Sequence, residues 1–296
     1  MKKKSILKVV TATLLVALML SLLYPFDALK IKAHGEADTQ SRSLERTQNT
    51  TYAPVEFTRN GMAMYRKGAW VNGHVYVPLY WFVKNFTSAS YTYTNQSVTV
   101  FGQGLTVSAT IGTPYLLAND RVIYTGLSAM GIDGNLWVPL EGLSKALGIA
   151  WKVEKDGHVS LSGNYRPILQ GEAFYREDEV YWLSKIISAE SKGEPLLGQI
   201  AVGCVILNRV KSPLFPSTIY SVIFDKKYGV QFTPTANGTI YQKPYDISVI
   251  AAKICLEGYD MGNILYFYHP VSSASTNWIS QNRKFAFTIG GHRFYY

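Results

Sequence analysis

Apolar residues fall along this chain in three patterns. One unbroken run lies near the start, from Val9 to about Leu23, behind the basic head MKKK. Strand-length runs closed by turn residues fill the middle. Towards the end the apolar positions recur at helical steps. In EDEVYWLSKIISAE, Val180, Leu183 and Ile187 are spaced by three and four, which predicts a helix over 177–190. Glu177, Asp178 and Glu179 crowd its first turn, where the helix dipole favours acids. Pro195 starts a second helix, LLGQIAVGCVILNRV, which is apolar nearly all round and stops before Pro213. A short helix is expected near Ser217. KKYGVQFTPTANGT predicts a β-hairpin or long loop, DISVIAAKICLEGYDM a third helix, ILYFYHP a strand, and FAFTIGGHRFYY a closing segment with a Gly-Gly turn.

The middle of the chain is an internal repeat. VNGHVYVPLYWFVKNFTSASYTYTNQSVTVFG from Val71 aligns without a gap with IDGNLWVPLEGLSKALGIAWKVEKDGHVSLSG from Ile132. Each copy has a turn glycine (Gly73, Gly134), then Val-Pro-Leu, then a short helix and two strands. Pro78 and Pro139 fall where a strand ends and a helix begins. Lys155-Asp156-Gly157 is a hairpin turn in the second copy. A linker, SGNYRPILQGEA, separates the repeat from the helical part.

The 296 residues are enough for two cores. The expected boundaries are a signal peptide or N-terminal anchor over 1–33, a polar tether over 34–54, the repeat domain over 55–162, a linker over 163–173 and a catalytic domain over 174–296. Cleavage after Ala28 or Ala33 is compatible with the first segment, and no cysteine lies near it for a lipid anchor. The net charge of +9 sits mostly there: residues 1–35 carry six Lys/Arg against one Asp. The remainder is only mildly basic, which gives no case for nucleic acid. Membrane contact is expected only through the N-terminal segment. The five histidines are scattered and the two cysteines, Cys204 and Cys255, are not in metal-ligand spacing, so no cofactor or metal is expected. The two thiols are compatible with a disulfide or with two buried free groups.

Glu190 carries the chemistry. It follows Ile187 by three residues, so it ends the helix on the side that faces the core. Burial and the negative end of the helix dipole both disfavour its charge and raise its pKa, as a general acid near neutral pH requires. The structural alternative is a buried glutamate paired with Lys192 or Arg209. A conventional glycosidase needs two carboxylates. Glu194, Asp225, Asp246 and Asp260 read as loop, turn or helix-end residues, so a second acid is not evident.

Two resemblances follow from these motifs. The repeat with its paired Val-Pro-Leu resembles the copper amine oxidase N-terminal-like domain of exported bacterial proteins. That family implies a spacer or wall-adhesion module, and His74 and His158 have no partners that would bind copper. The blocks AESKGEP, GQIAVGCVILNRVKSPLFPSTIYSVIF, QFTPTANGTI, YFYHP…TNWIS and TIGGHRFY resemble the SleB-type cell wall hydrolases of endospore-forming bacteria. Members often carry Ala-Arg where this chain has Ser191-Lys192. This resemblance implies an α+β chain with a lysozyme-like, mainly helical catalytic domain, peptidoglycan glycan strands as substrate, and Glu190 as the catalytic acid. It also implies substrate contacts from Ser191, Gln231, Phe232, Tyr266, Tyr268, Asn277, Trp278 and His292, each of which has core packing or loop bonding as its alternative. His269 reads as a structural histidine. With no second acid evident, a lytic transglycosylase is expected, acting on spore cortex or cell wall during germination or sporulation. A hydrolytic muramidase and a non-catalytic wall-binding protein are the alternatives.

Overall fold

The computed structural model describes residues 52–64, 68–270 and 278–296. The expected signal or anchor segment, most of the expected tether and Asn277 lie outside the described residues. No helix among the described residues is long and apolar enough to cross a membrane.

The chain has mixed α+β architecture. Its first part is β-rich: β1 (Ala53–Val55), β2 (Phe57–Arg59), β3 (Met62–Ala63), β4 (Gly68–Val71), β5 (His74–Pro78), α1 (Leu79–Val83), β6 (Ser90–Tyr93), β7 (Ser97–Gly102) and β8 (Leu105–Thr110). There follow β9 (Tyr115–Ala118), β10 (Arg121–Tyr124), β11 (Met130–Ile132), β12 (Asn135–Pro139), α2 (Leu140–Leu147), β13 (Ala150–Val153) and β14 (Val159–Ser162). They form sheets of order β1-β4-β5-β12-β11, β10-β9-β8-β7-β6 and β13-β14-β2-β3. The two Val-Pro-Leu copies meet at the centre of the first sheet, where Val77 pairs antiparallel with Val138. Each copy enters this strand through a two-residue turn in the left-handed region, Asn72-Gly73 and Asp133-Gly134. Both are the residue pairs that such turns favour. Leu79, Leu140, Leu143 and Leu147 from the two helices are buried in the core that the sheets enclose.

The second part is mainly helical: α3 (Gly171–Phe174), α4 (Glu177–Ser191), α5 (Leu196–Lys211), α6 (Ile219–Ile223), α7 (Thr233–Asn237), α8 (Asp246–Leu256) and α9 (Trp278–Asn282). Strands β15 (Tyr266–Tyr268), β16 (Phe285–Ile289) and β17 (His292–Tyr295) form one sheet of order β15-β17-β16. Helix α5 supplies Ile200, Ala201, Val202, Val205 and Ile206 to the core, all fully buried, against Leu183, Ile186 and Ile187 of α4 and Ala251, Ala252 and Ile254 of α8. This is the central role its all-round apolar pattern predicts. Cys204 and Cys255 face one another in that core as free thiols.

The hairpin is not where 226–238 predicts one. Pro234 sits in the first turn of α7, where its missing N–H costs nothing, and Gly238 (φ +80°) ends that helix in the left-handed region. Phe232 and Ile240, which make the segment look alternating, flank α7 and point into the core. The hairpin is instead β16–β17, turned by Gly290-Gly291. Helix α8 ends at Leu256 rather than near Met261, because Gly258 takes the left-handed conformation at φ +91°.

Residues 163–173 are held along their length. Arg166 and Ile168 donate to the carbonyls of Leu147 and Ala146, Asn119 Nδ2 donates to Ile168 O, and Gly171 N donates to Asn119 O. Arg121 of β10 then reaches α8's end. Its Nε and Nη2 donate to the two oxygens of Glu257 at 2.9 and 2.7 Å, and the Tyr175 hydroxyl donates to the same carboxylate. Val122, beside Arg121, is fully buried among the helical core residues. Both charges of the pair are mostly buried, at 14% and 15% exposure. Removing one partner of such a pair leaves an uncompensated charge and costs about 3 kcal/mol. Glu257→Ala is therefore expected to lower unfolding free energy by that order in a denaturant titration, with Arg121→Ala similar.

Candidate active site

Glu190 is the next-to-last residue of α4. The helix places Leu183, Ile186 and Ile187 in the core, and the same face carries Glu190 out to the wall of a cleft of ≈ 1200 Å³. Its carboxyl is half-buried and, among the described residues, no hydrogen bond or ion pair holds it. Burial alone pushes its pKa up to about 7. The expected structural partners are engaged elsewhere. Lys192 Nζ lies 5.7 Å from the Tyr245 ring centroid, and Arg209 Nε donates to Leu265 O at 2.8 Å. Arg209 is buried beneath the cleft among the rings of Phe215, Phe232 and Tyr266, and desolvation brings its pKa down to about 10.

The described candidates from the sequence all line this cleft: Ser191, Gln231, Phe232, Tyr266, Tyr268, Trp278 and His292. They are not equally available to a ligand. Trp278 is 55% exposed, with Arg283 stacked 4.7 Å from its ring centroid. Tyr266 and Tyr268 are half-buried and share one side of β15, while Phe267 on the other side packs on Phe294. Gln231 Nε2 donates to Gly229 O at 3.3 Å, a long bond that a ligand can displace. Two expectations are corrected. Ser191 is buried and its hydroxyl donates back to Ile187 O at 2.7 Å, the local bond a serine makes inside a helix. Phe232 is 4% exposed and packs against Arg209 and Phe267, so its ring supports the floor and has no free face.

Glu194 is the residue that sequence reasoning set aside. It is in the loop between α4 and α5, as expected, but its side chain is only 12% exposed and lines the same cleft. Its Oε2 accepts the N–H of Gly291 at 2.9 Å and its Oε1 lies 3.4 Å from Nδ1 of His292. The second distance is an electrostatic contact rather than a formed hydrogen bond. Burial holds the His292 pKa below its ordinary value, and nearby His269 adds to this, against the pull of Glu194. The Gly-Gly turn is required by this packing: a Cβ at Gly290 would overlap the Glu194 carboxylate, and one at Gly291 the His269 ring. Asp225, expected at a surface turn, also lines the cleft, and its Oδ1 accepts from Lys227 N. No cluster of His, Cys, Asp and Glu among the described residues could hold a metal.

Residues 193–295 match the cell wall hydrolase family model, and residues 58–160 match that of the copper amine oxidase N-terminal domain. The helical part of this chain carries a cell wall hydrolase domain. The hydrolase match begins three residues after Glu190. A spore cortex-lytic enzyme of Bacillus cereus is 40% identical over 106 residues, covering 36% of this chain and 39% of the relative. The spore cortex-lytic enzyme of Bacillus subtilis is 35% identical over 106 residues, covering 36% and 33%. The chain thus spans about two fifths or less of the length of these curated relatives. Among solved structures, the catalytic domain of the germination-specific lytic transglycosylase SleB from Bacillus anthracis is 35% identical. That match covers 44% of this chain and all of that one, with a TM-score of 0.38.

The charge state of Glu190 has a measurable consequence for the hydrolase domain. A carboxyl with a native pKa of about 7 keeps its proton over a range where the unfolded chain, at the ordinary 4.5, has lost it. The native state then binds more protons, so stability falls as pH rises from about 4.5 to 7 and is level above. Glu190→Gln removes this dependence. It is expected to match the parent at pH 4 and to exceed it by up to about 3 kcal/mol at pH 8. Paired denaturant titrations at the two pH values read the difference.

Proposed function

We propose that this chain is an exported enzyme that cuts the glycan strands of peptidoglycan as a lytic transglycosylase. Glu190 is its single acid and base. The observation that carries this reading is a carboxyl with no partner among the described residues, half-buried in a cleft wall and holding its proton up to about pH 7. A proton held there can be given to a glycosidic oxygen at neutral pH. Glu190 protonates the oxygen between N-acetylmuramic acid and N-acetylglucosamine, and the C1–O bond breaks with its electrons leaving on that oxygen. The muramic acid's own C6 hydroxyl oxygen then bonds to C1, and its proton returns to the Glu190 carboxylate. The products are a free N-acetylglucosamine 4-hydroxyl and a 1,6-anhydro end. No water is consumed.

Around this step, Trp278 offers a ring face to a sugar and the Gln231 amide a pair of hydrogen bonds to an N-acetyl group. Tyr266 and Tyr268 line the same wall. Asn277 completes the proposed contacts next to Trp278. Arg283, stacked on both Tyr266 and Trp278, holds their ring planes. The relatives named as spore cortex-lytic enzymes support cortex or wall peptidoglycan as the polymer and a place outside the cytoplasmic membrane. The test is release of soluble fragments from purified spore cortex and from vegetative sacculi by the full chain. Release from neither polymer overturns the reading.

A second reading, hydrolysis by two carboxylates, draws support from Glu194 and Asp225 in the cleft. Glu194 has its two oxygens against Gly291 N and His292, and Asp225 has one against Lys227 N. A water-activating base needs a free lone pair aimed at its water, and these contacts favour the single-acid step.

A further inference from the structure

The β-rich part of the chain carries an exposed run of aromatic rings that the cleft does not explain. Trp81 and Tyr80 of α1 have ring centroids 4.9 Å apart, Tyr80 and Tyr91 4.4 Å, and Tyr91 and Tyr93 6.2 Å. Tyr91 is 49% and Tyr93 74% exposed. Both lie on β6, the edge strand of its sheet, where all four residues are exposed. Strand alternation puts the two tyrosines on one side, so their rings continue the line begun on α1. The Lys84 ammonium lies 5.6 and 5.4 Å from the ring centroids of Tyr80 and Trp81, which places a positive charge at the head of the run.

We propose that this run is a second glycan-binding site, which holds a peptidoglycan strand away from the cleft. The choice of polymer rests on the proposed function above; the site itself rests on the rings. Tyrosine presents an apolar face beside a hydroxyl, and a pyranose presents C–H faces beside its own hydroxyls, so stacking and hydrogen bonding are satisfied together. A run of tyrosines and a tryptophan with no exposed aliphatic anchor among them fits a sugar chain better than the apolar core of a protein interface. The charge is complementary as well: each muramic acid bears a lactyl carboxyl group, free wherever its stem peptide has been removed, and Lys84 is placed to meet it.

The position suits a holding site. Strands β6 and β10 are the two edges of one five-stranded sheet, roughly 19 Å apart at the usual strand spacing. Arg121 of β10 is clamped to Glu257 of α8, so the sheet is a fixed arm between the rings and the hydrolase domain. A strand held on the arm is presented again to the cleft after each cut, which matters for an insoluble substrate and not for a short soluble one.

The test uses the full chain carrying Glu190→Gln, so that the polymer survives. Retention on purified sacculi and on glycan stripped of stem peptides by an amidase is measured by cosedimentation. Adding Tyr91→Ala with Tyr93→Ala, both exposed and so tolerated by the fold, is expected to weaken retention on both polymers about tenfold. Lys84→Ala is expected to weaken retention mainly on the stripped glycan, where the lactyl carboxyl is free. Unchanged retention in the tyrosine variant overturns the proposal. So does a parent that binds sacculi but not stripped glycan, which would assign the rings to the peptide. So does a parent that is dimeric and becomes monomeric in the tyrosine variant, which would make this edge a self-interface. With Glu190 intact, the tyrosine variant is expected to cut short soluble strands at the parent rate and insoluble sacculi several-fold more slowly. A chain that cuts neither fails the catalytic reading and leaves the retention result standing.

Discussion

Glu190→Gln is expected to lower the release of soluble fragments from peptidoglycan by about a thousandfold, with the fold retained. The size follows from the chemistry assigned to this carboxyl. A single group gives the leaving oxygen its proton and then takes one from the attacking hydroxyl, so its loss removes acid and base together. The amide has the same shape, and the carboxyl it replaces has no partner among the described residues whose bond would be lost. The variant should therefore unfold no more readily than the parent, and above pH 7 less readily. Rate and stability moving in opposite directions separates a catalytic group from a structural one. The parent's rate should also fall as pH rises through about 7, where the carboxyl loses its proton. A rate that rises across that range would mean that Glu190 acts from its charged form.

The second large effect is expected at Glu194, and the substitution chosen decides its meaning. Glu194→Ala leaves the Gly291 N–H without its acceptor and His292 without its neighbouring charge, at a site only 12% exposed. An unsatisfied group of this kind costs about 1–3 kcal/mol, and the loosened hairpin turn carries His292 away from the cleft. Activity is expected to drop about a hundredfold, with a fall in thermal midpoint. Glu194→Gln keeps an oxygen for Gly291 and a polar group for His292, so it is expected to recover activity to within about tenfold of the parent. That rescue marks a positioning residue. If the glutamine variant is instead as inactive as Glu190→Gln while remaining as stable as the parent, Glu194 works through its charge, and two carboxylates share the reaction.

The contrast between these two residues shows what the sequence could disclose. Glu190 is legible because its environment is local: the three- and four-residue spacing from Leu183 through Ile187 puts it on the buried face of its own helix. The same holds for the paired Val-Pro-Leu strands, whose turns and helix starts are written in adjacent residues. Glu194 is buried by a partner 97 residues further along, the Gly291 turn, and no short-range pattern announces that contact. Phe232 shows the opposite limit. Its place beside the cleft is legible, but that Arg209 lies against its ring is settled by the packing of α5, and this turns a candidate sugar contact into a floor. The hairpin expected over 226–238 fails for a related reason. Phe232 and Ile240 alternate with polar residues as strand positions do, but both are buried from the flanks of a short helix whose proline and glycine set its ends.

The central claim is that one carboxyl suffices and that no water enters the reaction. It is tested most directly by the mass of the products. Purified peptidoglycan is digested with the full chain and the soluble fragments are read by mass spectrometry. The account predicts muramic ends lighter by one water than reducing ends, the mark of a 1,6-anhydro ring closed by the sugar's own hydroxyl. Fragments with ordinary reducing ends would contradict it, and the search for the water-activating group would begin with Glu194 and Asp225.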